Sequence, residues 1–135
     1  MRFPSAEWAE AFRQALNANE EYRAAAAAWE GDLLLRVLPD SPTASAPGVL
    51  LDLFHGSCRH ATFEPDSRST ESEFVFEGSV ENWRRVMAGA LDPVAALMNG
   101  TFRLRGNVAK AMRFTRAAKE LVETAAGLPD TQVVV

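Results

Sequence analysis

His55, Cys58 and His60 are the side chains of this 135-residue chain best suited to chemistry. The run His55-Gly56-Ser57-Cys58-Arg59-His60 gathers both histidines and the single cysteine. Cysteine and histidine are zinc ligands, and a cysteine beside a histidine can form a nucleophile with its base. On an extended strand Cys58 and His60 would share one face, with His55 at the turn before it. A turn followed by a strand converges poorly, and no fourth ligand or orienting acid is evident. A hairpin turn and its returning strand account for the same residues. Neither a Gly-x-Gly-x-x-Gly run nor a P-loop occurs, so no phosphate cradle is signalled. Asp52, inside an apolar run, either anchors the polar end of a ligand or lies on an open sheet face.

The elements that must position these residues follow from periodicity. Ser5 caps a first helix with Glu7 in its first turn and Trp8, Phe12, Ala15 and Leu16 on one face. Asn19 caps a second, whose alanine run at 24–28 favours helix and lets another element approach closely. Strands are expected over residues 32–38, 49–54, 58–63 and 73–77, separated by a Pro/Gly-bearing loop at 40–48, a tight turn at His55-Gly56 and a polar stretch at 65–72. In the fourth strand Phe74 and Phe76 face inward, and Glu73, Val75 and Glu77 face outward. Ser79 caps a helix bearing Val80, Trp83, Val86, Met87, Ala90 and Leu91. Asp92-Pro93 opens a short helix that Gly100 ends. Residues 101–105 form the clearest strand, with Phe102 and Leu104 inward. After the Gly106-Asn107 turn and cap, one long helix is expected up to residue 126, stopped by Gly127 and Pro129. Strands joined by tight turns pair antiparallel, and the last strand, arriving by a helical crossover, is free to lie parallel to a neighbour. The expectation is an α+β domain with a mixed sheet, helices on one face and the other face mostly wet.

Composition narrows the function classes. A chain of this length suits one domain of residues 1–127, with 128–135 as a flexible tail. Apolar residues make up 47% and charged residues 24%, which is ordinary for a globular protein. No apolar run approaches the roughly 18 residues of a membrane helix, and the first residues lack the layout of a signal peptide. The last three residues are valines and make no peroxisomal tripeptide. One cysteine excludes an internal disulfide, so a cytoplasmic location is expected. Net charge is −4, unevenly spread. Residues 1–83 hold 6 basic and 14 acidic side chains, whereas residues 84–119 hold 8 basic and one acidic. Overall acidity argues against nucleic acid. The basic block suits an anionic head group, a cofactor phosphate, an anionic membrane surface, or only the solvated faces of a strand and a helix.

The stretch from Asp92-Pro93 through Gly100-Thr101-Phe102-Arg103-Leu104-Arg105-Gly106-Asn107 to Met112 resembles the C-terminal signature of the sterol carrier protein family. The likeness is strongest over residues 72–121; the first seventy residues fit by element order alone. It implies a five-stranded mixed sheet covered by helices, with a hydrophobic tunnel between them. It also implies non-catalytic binding or transfer of a fatty acid, acyl-coenzyme A or similar lipid. No cofactor or metal is expected. Within such a fold Trp83, Met87, Leu91, Leu97, Met98, Phe102, Leu104, Met112 and Phe114 are the candidate lining residues, since methionine and aromatic side chains adapt to irregular ligands. Any one of them would serve equally as core. The alternative is a regulatory or protein-interaction module with a collapsed cleft and a basic partner-binding face. The oligomeric state is open.

Overall fold

Chain order in the computed structural model, which describes residues 1–133, begins with a two-residue strand β1 (Arg2–Phe3) and two helices, α1 (Ala6–Ala18) and α2 (Glu20–Ala25). Ser5 and Asn19 cap these helices, each side chain accepting from a backbone N–H three residues on. Three strands follow, β2 (Glu30–Leu38), β3 (Gly48–Phe54) and β4 (Ser57–Glu64), then a 3-10 turn at Ser67–Ser69 and β5 (Phe74–Ser79). The rest comprises α3 (Val80–Met87), α4 (Pro93–Met98), β6 (Arg103–Arg105), α5 (Val108–Met112), α6 (Thr115–Ala126) and β7 (Gln132–Val133).

The main sheet is five-stranded and mixed, in the order β4-β3-β2-β5-β6. The hairpin between β3 and β4 turns on His55 (φ 48°) and Gly56 (φ 83°), the left-handed pair that a tight primed turn requires. The parallel pair is β2–β5, with Leu33 opposite Phe74. The last strand, β6, is antiparallel to β5, with Glu77 opposite Arg103. Expectation allowed the last strand to supply the parallel pairing. Instead α3 and α4 run in series and return the chain to the end of β5 that it had just left.

Alternation sends Leu35, Val37, Val49, Leu51, Phe74 and Phe76 to one face, where α1, α3 and α6 cover them. Trp8, Phe12, Leu16, Trp83 and Phe102 complete this core and are fully buried or nearly so. The second face is drier than expected at its centre. Leu34 is inaccessible and Glu77 is 3% exposed. A buried charge needs partners. Arg36 donates from Nη1 to Glu77 Oε2 (3.2 Å) and from Nη2 to the Ser67 carbonyl (2.8 Å), while Arg105 Nε donates to Glu77 Oε1 (2.6 Å). Ser67 in turn bonds the Ala46 carbonyl through both its N–H and its hydroxyl, at 2.7 Å each, so that loop lies over the strands.

Two other expectations change. The long final helix is broken into α5 and α6 at Arg113 and Phe114. Phe114 adopts φ −119°, ψ 34° and packs its ring edge-on to Trp29 at 5.1 Å. Packing this partly buried ring against the core offsets the one or two helical bonds forgone there. The tail expected to be loose contributes β7, which pairs parallel with β1, and Val133 is 7% exposed. Val134 and Val135 lie outside the described residues. At the edge of the main sheet, the Asn17 side chain of α1 accepts from the Cys58 N–H (2.8 Å) and donates to the Cys58 carbonyl (3.0 Å).

Candidate functional site

An apolar cavity of about 110 Å3 lies between the sheet and the C-terminal helices. Its floor is the inward row of the strands: Leu33 and Leu35, Leu53, Phe74 and Phe76, and Leu104. Its roof is α4 (Pro93, Val94, Leu97), α5 (Ala111, Met112) and α6, with Phe114 at the break between the last two. Tyr22, Ala26, Trp29 and Trp83 close the remaining sides. The room comes from side-chain size. On α6, Ala117, Leu121 and Ala125 recur every four residues, and two of these three inward positions are methyl groups facing aromatic rings. Opposite them, a leucine or phenylalanine at Ala117 or Ala125 would occupy the space.

No charged side chain lines the cavity. The two indole N–H groups on its wall are bonded to backbone carbonyls. Trp29 Nε1 donates to the Gly31 carbonyl (3.0 Å) and Trp83 Nε1 to the Arg36 carbonyl (2.9 Å). Burial pushes the Tyr22 phenol well above its ordinary value, so it stays protonated. At one end Lys110 of α5 donates to the Glu30 carbonyl (2.7 Å) and to Glu73 Oε1 (2.9 Å), above the Trp29 ring. This contact ties α5, which buries none of its own residues, to the strand ends. Gly106 allows the approach: its φ is +121°, and a Cβ there would come within 2.6 Å of the Glu73 carbonyl oxygen.

A second, open groove of about 460 Å3 runs outside the roof, lined by Leu97, Met98, Gly100, Phe102, Arg103, Leu104, Val108 and Met112. Leu97, Leu104 and Met112 belong to both spaces, so these three side chains form the wall between them.

Of the nine residues proposed from sequence as lining, Trp83, Leu97, Leu104, Met112 and Phe114 lie on the cavity wall. Phe102 lies on the groove, and otherwise belongs to the core, stacked on Phe76 at 4.5 Å. Met98 is 82% exposed and touches only the groove. On the six-residue α4, Pro93 and Ala96 take the core side, which turns Met98 outward. Met87 and Leu91 pack against the core and reach neither space. Sequence reasoning missed Tyr22, Ala26 and Trp29 and the alanines of α6. A run of small residues on the buried face of a helix, opposite inward aromatics, is the signal that marks such a space.

The histidine–cysteine run does not assemble. A register shift between Asp52 and Leu53 puts a bulge in β4, so Cys58 pairs with Leu53 and His60 with Asp52. Cys58 and His60 were expected on one face. The bulge instead turns Cys58 into the core, at 1% exposure, and leaves His60 in solvent. Burial pushes the Cys58 thiol up to about 12, the reverse of an activated nucleophile. His55 pairs with Glu30 (Nε2 to Oε1, 2.6 Å) at the exposed turn. Asp52 faces the open side of the sheet and pairs with Arg59 (3.0 Å). Among the described residues no three His, Cys, Asp or Glu side chains are grouped to hold a metal ion. No helix among them is long and apolar enough to cross a membrane.

A mixed sheet roofed by helices around a space lined by no charged side chain makes this an α+β protein, and comparison with known proteins gives its class. The model of the SCP-2 sterol transfer family matches residues 11–119, most of the chain. A crystal structure of a sterol carrier protein 2 is 40% identical, with a TM-score of 0.85 over 92% of this chain and 97% of that one. A solution structure of a Thermus thermophilus protein, described as possibly a sterol carrier protein, is 39% identical, with a TM-score of 0.80 over 90% and 86% of the two chains. A palmitated SCP2L2 from Aedes aegypti, 15% identical, shares the fold with a TM-score of 0.58 over 87% and 94%. No curated protein matches the chain. The chain belongs to the SCP-2 sterol transfer family, a family of apolar-lipid binding and transfer.

Proposed function

We propose that this protein is a non-catalytic cytoplasmic carrier that holds one fatty-acyl or similar apolar chain between the sheet and α4–α6. The observation that carries this reading is the cavity wall itself, which has no charged side chain and whose indole N–H groups are already bonded to backbone carbonyls. Such a surface offers no charged group to orient a reacting one. It offers burial, at roughly 0.8 kcal/mol per methylene. Buried methylenes are interchangeable, so selectivity is by length and width rather than by head group.

Volume supports one way for the ligand to sit. Ligand pockets usually span about 300–1,000 Å3, and the cavity alone holds about 110 Å3. Cavity and groove joined fall within that range. The ligand is therefore read as entering where Leu97, Leu104 and Met112 part, its tail inside and its polar end in the groove. The experiment is mass spectrometry of organic extracts of the purified protein, with titration by a fluorescent fatty acid. A stoichiometric acyl lipid, or saturable uptake at one site, is expected. A clean extract together with no uptake overturns the reading and leaves an interaction module with a closed cleft.

A further inference from the structure

Tyr22 is 2% exposed and lines the cavity. Its backbone is bonded, the N–H to Asn19 Oδ1 (3.1 Å) and the carbonyl to the Ala26 N–H (2.8 Å), but its hydroxyl bonds to no described residue. Among the described residues Trp8 Nε1 is the buried side-chain polar atom that is both sealed and unpartnered. The Tyr22 hydroxyl is unpartnered without being sealed, so open space adjoins it, and the space that Tyr22 lines is the cavity. A hydroxyl taken from water without a bond is costly. Burial keeps its proton in place, so the group presents a donor. A lone water is a poor partner there, because a buried water needs several polar neighbours. The wall carries one other hydroxyl, that of the half-buried Thr115.

Its place decides what it can meet. Asn19 bonds Thr124 (2.9 Å) and Trp29 packs on Phe114, so α2 runs antiparallel to α6. The Arg23 carbonyl oxygen lies so close to Gly56 that a Cβ there would come within 2.5 Å of it. The helix α2 therefore sits at the β3–β4 turn, by the end of the floor that Leu53 forms. The wall shared with the groove stands at the opposite end, where Leu104 of β6 belongs to it. The strand order β3-β2-β5-β6 separates the two ends by three strand spacings, roughly 14 Å. A chain that enters past Leu97, Leu104 and Met112 thus brings its far end, not its head, towards Tyr22. One turn on along α2 the wall is only the methyl group of Ala26. We infer that Tyr22 is a specificity residue for lipid tails whose far end carries a neutral oxygen. A hydroxyl or carbonyl there accepts the phenol's hydrogen bond, and both groups are then buried with a partner. This deepens the carrier reading and rests on it: a pocket walled by methyl groups and rings alone would reject such an oxygen.

The test is calorimetric titration with capric, lauric and myristic acids and with their ω-hydroxy derivatives, for the natural protein and for Tyr22→Phe. The readout at each chain length is the ratio of the hydroxy acid's affinity to the plain acid's. Whatever the substitution does to tail binding in general divides out of that ratio. At the length that brings the hydroxyl to the phenol, the ratio is expected to fall about tenfold in Tyr22→Phe, the worth of one hydrogen bond. At the other lengths it should fall less. Urea melts without ligand give a second reading: deleting an unpartnered hydroxyl should not lower the midpoint. A ratio that Tyr22→Phe leaves unchanged at every length, or loss of both kinds of acid together, overturns the inference and leaves the carrier standing. A lowered midpoint also overturns it, since the hydroxyl then has a partner inside the protein. Natural protein that binds none of the acids removes the carrier reading, and this inference with it.

Discussion

Burial sets the chemistry of Cys58. Its thiol sits at 1% exposure and is pushed up to about 12, above the roughly 8.5 of an exposed thiol. Iodoacetamide is therefore expected to leave the folded protein unmodified at pH 8 and to modify one site once urea unfolds it, read by mass. The proton is held longer in the folded state than in the unfolded chain. Stability from this group is therefore fully present below about pH 8.5 and lost as pH rises towards about 12. A Cys58→Ala variant should lack that alkaline loss in urea melts. Glu77 gives a second residue-scale prediction. Arg36 is 14% exposed at its side chain and Arg105 is 57%, so the two partners of Glu77 are unequal. Glu77→Gln leaves a nearly buried guanidinium uncompensated and is expected to cost about 3 kcal/mol. Arg105→Ala, at the exposed pair, should cost under about 1 kcal/mol. Equal losses in the two urea melts would contradict this ranking. The role of Glu77 was legible only as far as its outward direction. Its depth depends on Ser67 and Ala46, a loop whose sequence carries no period.

The short elements near the C-terminus are where pattern reading failed, and the reasons are physical. Residues 108–125 keep helical spacing throughout, and nothing in them announces a break. The break follows from a contact, Phe114 against Trp29, between residues far apart in sequence. The bulge in β4 is likewise invisible beforehand, because one added residue changes a face without changing composition. By contrast, the caps at Ser5, Asn19, Ser79, Asp92 and Asn107 all hold as expected, each side chain accepting a backbone N–H. The cavity was half legible for the same reason. Large side chains on the strands announced a floor, while the alanines that leave the space announced only a helix. At this scale the informative change is Ala117→Leu on α6, at an inward position on the cavity wall. Space exists for the added methylenes, so stability is expected to stay within about 1.5 kcal/mol. Displacing two ligand methylenes should lower fatty-acid affinity by about tenfold or more. A folded Ala117→Leu protein that binds fatty acid unchanged would show that the ligand lies elsewhere.

Across the whole molecule, the two ends of the chain are joined by the β1–β7 pair, and α3 lies close to β7. Phe3, inaccessible to solvent, packs on Trp8 at 4.5 Å and on Trp83 at 5.0 Å, so the first residues help hold the helix that walls the cavity. Val133→Asp, which puts a charge into that pair, is expected to cost about 2–3 kcal/mol, read as an earlier urea midpoint. An unchanged midpoint would mean that the terminal pair adds nothing to the fold. Element order and fold class were readable in advance because they need only periodicity and caps; the pairing of the ends was not, because two-residue strands carry no period. A consequence of another kind attaches to the Asn17 amide on Cys58. The strand β4 is one rim of the sheet, and unpaired backbone groups along such a rim can template the strand of another molecule. Asn17 occupies an N–H and a C=O there, and the other rim, β6, is three residues long with two arginines. A protein that carries an exposed greasy groove thereby withholds part of each sheet edge from the strand of another molecule.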